Sequence, residues 1–160
     1  MDPASVFGVI SSSVGLAART TKLVKDLRLL RQKYKDVDRD VQLLSTQLSA
    51  IKAVTKRLSS WLDGTKGTTA DSEEDKEIRT EIADVLDACS ELVSIVQTHV
   101  SKVLVGFPQA PFMGKARHLW DEDIVQDLSR KLSDQVQALS VMLQCLQLSV
   151  SFHLVHAFAY

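Results

Sequence analysis

Eight residues, Val37, Val41, Leu44, Leu48, Ile51, Thr55, Leu58 and Leu62, follow one another at strict steps of four and three. A row with that spacing stays on one face of a helix, and being mostly apolar it has to be covered by other helices. The same spacing serves a coiled coil. The breaks at 63–71 and 106–114, however, cut the chain into segments of about 20 to 35 residues, the lengths that an antiparallel bundle uses.

The remaining segments repeat the pattern. Asp2 is placed to cap a first helix, with Pro3 at its first position, and Leu16, Thr20, Leu23, Leu27, Leu30 and Tyr34 form its apolar seam, ending near residue 34. Asp36 is a candidate cap for the second helix. The stretch from Asp63 to Ala70, with Gly64 and Gly67, is a loop; it lacks the G-x-x-x-x-G-K-[ST] spacing of a phosphate-binding loop, and no strand precedes it. Ser72 with Asp75 resembles a capping box that starts a third helix, whose seam is Ile78, Ile82, Val85, Cys89, Leu92, Val96 and Val103. Gly106, Pro108 and Pro111 end it. A short segment carrying Leu119 and Trp120 then leads to Asp121, the cap of a final helix burying Ile124, Leu128, Leu132, Leu139, Leu143 and Leu146.

The expected fold is therefore all-α: an antiparallel bundle of four long helices plus a short connecting helical segment, with consecutive helices side by side. At 160 residues the chain suits one domain over 1–160, and six Gly and three Pro are too few to punctuate many short strands. Cys89 and Cys145 lie in apolar helical patterns without C-x-x-C spacing and read as two buried, reduced thiols. The chain opens on acidic Asp2 rather than on a basic n-region, so the expected location is cytoplasmic.

No constellation of side chains carries chemistry. Of four histidines only His153 and His156 are close in sequence, and no further ligand is spaced to complete a zinc site with them. The carboxylates of residues 71–91 are distributed around a helix and read as a solvated face, not as an acid/base pair. Nucleophile-elbow, Walker and dinucleotide motifs are absent, so no enzyme activity, cofactor or metal is expected. Residues 19–35 hold seven Lys/Arg against one Asp, but a pI near 6.4 and the lack of base-reading or stacking motifs speak against nucleic acid.

The two ends are more informative. Between Asp2 and Arg19 lie sixteen uncharged residues, among them Val6, Phe7, Val9, Ile10, Val14 and Leu16 with small Gly8 and Gly15. As a helix they span about 24 Å, short of the roughly 30 Å of a hydrocarbon core, so they do not make a standing membrane span. Burial in the bundle and conditional insertion both accommodate them. In the second case Arg19, Lys22, Lys25 and Arg28 are placed to hold anionic headgroups, and the small residues permit close helix packing. Residues 135–160 contain no Asp, Glu, Lys or Arg and call for a partner: the bundle itself, a neighbouring domain of a longer protein, or lipid.

The opening Met1-Asp2-Pro3-Ala4-Ser5-Val6, the Gly-containing apolar helix after it, Lys25-Asp26-Leu27-Arg28, and Lys115-Ala116-Arg117-His118-Leu119-Trp120-Asp121-Glu122-Asp123 before a Leu-rich helix resemble the HeLo-like N-terminal domain of fungal STAND (NLR-like) receptors. The resemblance covers about residues 1–148. It implies an effector domain ahead of a C-terminal nucleotide-binding and repeat region, acting in nonself recognition and regulated cell death. It further implies homo-oligomerisation on activation and attack on the plasma membrane by the exposed N-terminal helix. On this chain that role falls on Val6, Phe7, Val9, Ile10, Val14 and Leu16, with Gly8 and Gly15 as packing points.

Overall fold

The computed structural model describes residues 5–34, 37–64, 73–105 and 121–158, the last ten of them as helical backbone only. Four helices account for nearly all of these: α1 (Val6–Lys33), α2 (Asp38–Gly64), α3 (Glu73–Val105) and α4 (Glu122–Phe158). The chain is an all-α bundle. The segment with Leu119 and Trp120, and the proposed caps Asp36 and Ser72, lie outside the described residues.

All eight members of the α2 row are buried, as their spacing requires. In α1 the buried row extends further toward the helix start than expected: Val9, Ser13, Leu16, Thr20, Leu23, Leu27 and Leu30 keep the four-three step. The start of α1 also differs. Ser5, not Asp2, is the cap, with its Oγ accepting from Gly8 N at 3.0 Å. Ser caps as well as Asp does, so composition alone did not separate the two positions. Asp2 and Pro3 lie outside the described residues.

Later residues of α1 meet early residues of α2, and the reverse. Arg31 is ion-paired with Asp38, while Val14 shares a hollow with Ser59, so the two helices are antiparallel. The rest of the arrangement departs from the expected side-by-side order. α1 packs on α2 and α3, and α4 packs on the same two, leaving α2 and α3 diagonally opposed. Eight residues separate Gly64 from Glu73, and at up to about 3.3 Å each they can cross the end of a bundle.

Lying between α1 and α4, α3 buries Ile82, Cys89, Val96 and Val103 of the expected seam but departs from it at three positions. Leu86 and Val93 are in the core, whereas Val85, Leu92 and Ile78 are half-buried beside it. Adjacent apolar pairs, Val85-Leu86 and Leu92-Val93, satisfy either spacing, and the two neighbouring helices decide which member goes inside. The row continues through Asp75 and Arg79, both buried, so two charges of the acidic stretch belong to the core and not to a solvated face. Similarly Val125 replaces Ile124 at the start of α4, where Asp121 Oδ1 caps by accepting from Asp123 N at 3.1 Å and Ile124 N at 3.3 Å.

Of the two thiols only Cys89 is buried; Cys145 is exposed, contrary to expectation. Burial pushes the Cys89 thiol up to about 12. Thiolate is the reactive form, so a maleimide near pH 8 should label Cys145 readily and Cys89 only after unfolding. Rapid labelling of both thiols in the native protein would place Cys89 outside the core.

Candidate membrane-contact face of α1

Helical geometry divides the residues of α1 that the sequence singled out. Positions 7, 14, 18, 22 and 25 fall on one exposed face: Phe7 at 54% and Val14 at 56% exposure, then Ala18, then Lys22 and Lys25. The face, which also includes exposed Ser11, is uncharged as far as Ala18, cationic at Lys22 and Lys25, and apolar again at Leu29. Val14 and Lys25 are eleven residues apart, about 16 Å along the helix. That separation lets the first half meet an apolar layer while the ammonium groups remain at a polar boundary.

The other candidates are placed elsewhere. Gly8, Val9 and Leu16 are buried, and Val6 and Ile10 are half-buried against the core. Gly15 is exposed, with open space where a Cβ would be, so it is no packing point within the bundle. Arg19 points away from the cationic face. Its guanidinium donates to Ser90 Oγ at 2.6 Å, to the Ser90 carbonyl at 3.4 Å and to Ser94 Oγ at 2.5 Å, tying α1 to α3. Lipid contact by Arg19 therefore requires α1 to leave α3. Arg28 is exposed and lines a furrow against α2.

Two features were not foreseen. Ser13 is fully buried, and its hydroxyl has no hydrogen-bond partner among the described residues. Thr20, on the same row, donates to the Leu16 carbonyl at 2.9 Å, as Thr55 does to Ile51 at 2.8 Å. A buried hydroxyl without a partner costs about 1–3 kcal/mol, so the N-terminal half of α1 is held less well than its apolar residues suggest. Ser13→Ala should therefore raise the melting temperature, by about 2 to 4 °C for each 1 kcal/mol recovered. A lower value would show that the hydroxyl stabilises the docked helix. The Ser11-Ser12-Ser13 run gave no sign of which serine faces inward until the row was traced back from Leu16.

The second feature is on α4, where Val141 (52% exposed), Cys145 and Leu148 (71% exposed) step by four and three along the surface. Val141 and Cys145, with Met142 of α4 and Ile78 of α3, border a mainly apolar hollow of about 390 Å³. His99 is half-buried, and the side chains of His118, His153 and His156 lie outside the described residues. Among the described residues no group of three or more His, Cys, Asp or Glu is arranged to hold a metal, and no helix is long and apolar enough to cross a membrane. No protein-family model, curated protein or solved structure matches this chain, and the likeness to HeLo-like domains rests on the residues quoted for it.

Proposed function

We propose that this chain is the N-terminal effector domain of an NLR-like receptor, which oligomerises on activation and engages or permeabilises the plasma membrane through α1. The observation that carries this is the exposed face of α1, apolar at Phe7 and Val14 and cationic at Lys22 and Lys25. The resting location is the cytoplasm, with membrane association conditional on release of α1.

The energetics of release favour a conditional step. Val9 and Leu16 each gain about 1.5–3 kcal/mol from burial, and hydrocarbon replaces the core as their apolar surroundings when α1 inserts. Among the described residues Ser13 has no partner to lose. The costs are the Arg19 bonds to α3 and the exposed faces of α2 and α3, which assembly of several copies can cover. Leakage of a trapped dye from anionic vesicles tests this. Absence of leakage at every oligomeric state would reject membrane action.

A second function, that of a soluble adaptor acting only through protein contacts, is favoured by the Val141, Cys145 and Leu148 row on α4. A bulky maleimide on Cys145 then blocks partner binding, whereas leakage driven by α1 is indifferent to it.

A further inference from the structure

Arg28 and Arg31 are three apart on α1, and Gln42, Ser45, Thr46 and Ser49 recur at helical spacing on α2. The antiparallel pairing of the two helices makes these residues the walls of one furrow of about 300 Å³, with Val24 and Val41, both buried, at its floor. A second hollow, of about 670 Å³, is lined by the same two arginines with Gln32 and Asp38. Among the described residues no carboxylate lines the first hollow. Asp38 lines the second and is paired with Arg31 through Nε and, at 3.4 Å, through Nη2. Among the described residues Arg28 forms no ion pair. The Thr46 hydroxyl already donates to the Gln42 carbonyl at 2.9 Å, which leaves Ser45, Ser49 and the Gln42 amide as uncharged donors.

Planar guanidinium groups bind phosphate through paired N–H donors, and hydroxyl groups complete the shell. A phosphomonoester carries about −1.5 to −2 charges near pH 7, enough to compete with Asp38 for Arg31 while also engaging Arg28. Carboxylates and phosphodiesters, with one charge, compete less well. We infer that the furrow between α1 and α2 binds a phosphomonoester, presented by a lipid headgroup or by a soluble phosphorylated compound, with Arg28 as its principal charge partner. This names the anion recognised beside the cationic face of α1, and its lipid form rests on the membrane-engaging function proposed above.

The test uses inositol trisphosphate as the soluble probe, followed by amide chemical shifts and calorimetry. Vesicle flotation then compares phosphatidylinositol bisphosphate with phosphatidylserine at matched surface charge. Saturable binding of the soluble probe is expected, weakened about tenfold or more by Arg28→Gln and severalfold by Ser45→Ala with Ser49→Ala. Lys22→Gln with Lys25→Gln serves as the comparison. That pair should leave soluble binding within about twofold while reducing flotation on both vesicles, since it lies outside the furrow and acts through general attraction. Lys22, Lys25, Arg28 and Ser49 are exposed and Ser45 is half-buried, and melting curves confirm the fold of each variant.

Preference for the bisphosphate vesicles assigns the site to a lipid headgroup. Equal flotation on both, with the soluble probe still bound, assigns it to a soluble compound. Equal losses from the Arg28 and the Lys22/Lys25 variants, or no saturable shifts at furrow residues, would overturn the site. Leakage of phosphatidylserine vesicles without trisphosphate binding removes the furrow and leaves the membrane function standing; trisphosphate binding without leakage from any vesicle does the reverse.

Discussion

Leu48→Ala should lower stability by about 2 to 5 kcal/mol, because it leaves a cavity at a fully buried position. Leu48 is fully buried at the middle of the α2 row, and α2 packs on both α1 and α4. Shrinkage on one side would loosen packing on the other. For a chain of this length the loss corresponds to a melting temperature lower by about 4 to 20 °C. Leu43→Ala is the matched control: Leu43 is exposed, and its truncation should change stability by about 0.5 kcal/mol or less. Similar melting of wild type and Leu48→Ala would contradict the burial of the α2 row.

The same row explains why much of the fold was legible in the sequence. Apolar neighbours such as Leu43-Leu44, Trp61-Leu62 and Leu29-Leu30 occur in α2 and α1 as well, but the alternative rows meet Gln47 and Arg57 in α2 and Asp26 and Lys22 in α1, so only one face is continuously apolar. Val85-Leu86 and Leu92-Val93 in α3, and Ile124-Val125 in α4, offer two rows about 100° apart, and the choice depends on which helices flank them. The eight residues between α2 and α3 are long enough for a diagonal or an adjacent placement, and periodicity does not choose between them. Asp75 and Arg79 were read with their charged neighbours as solvated, yet they continue the buried α3 row. Composition assigns charge to a segment, while burial is decided position by position.

The candidate site was legible in part for a related reason. A run without charge marks a segment as able to enter an apolar medium, but it does not identify the medium, and Val9 and Leu16 face the core while Phe7 and Val14 face outward. The cluster of cations likewise conceals two directions. Lys22 and Lys25 extend the exposed face, whereas Arg19 reaches Ser90 and Ser94, residues more than seventy positions away that no local pattern connects to it. The furrow containing Arg28 needs the register of α1 against α2, which exists only once the helices are paired.

Phe7→Asp should abolish membrane disruption while leaving the bundle folded. Phe7 is 54% exposed, so its replacement removes little core packing. It is also the second residue of α1, just after the Ser5 cap, where a carboxylate is stabilised by the positive end of the helix dipole by about 0.3–1 kcal/mol. The substitution therefore favours the docked helix and penalises the inserted one. A carboxylate costs about 2.5 to 3.5 kcal/mol at the centre of a membrane-embedded helix and less toward its end, which biases insertion by about tens-fold or more at the upper value. Val9→Asp supplies the contrast: it places the same charge at a fully buried position and should impair folding itself. Circular dichroism and thermal melting separate the two cases before any vesicle is added. If Phe7→Asp unfolds, Phe7 contributes to the resting core and the exposed face is misassigned. A folded Phe7→Asp protein that empties anionic vesicles as fast as wild type would remove Phe7, and with it the apolar end of the α1 face, from membrane action.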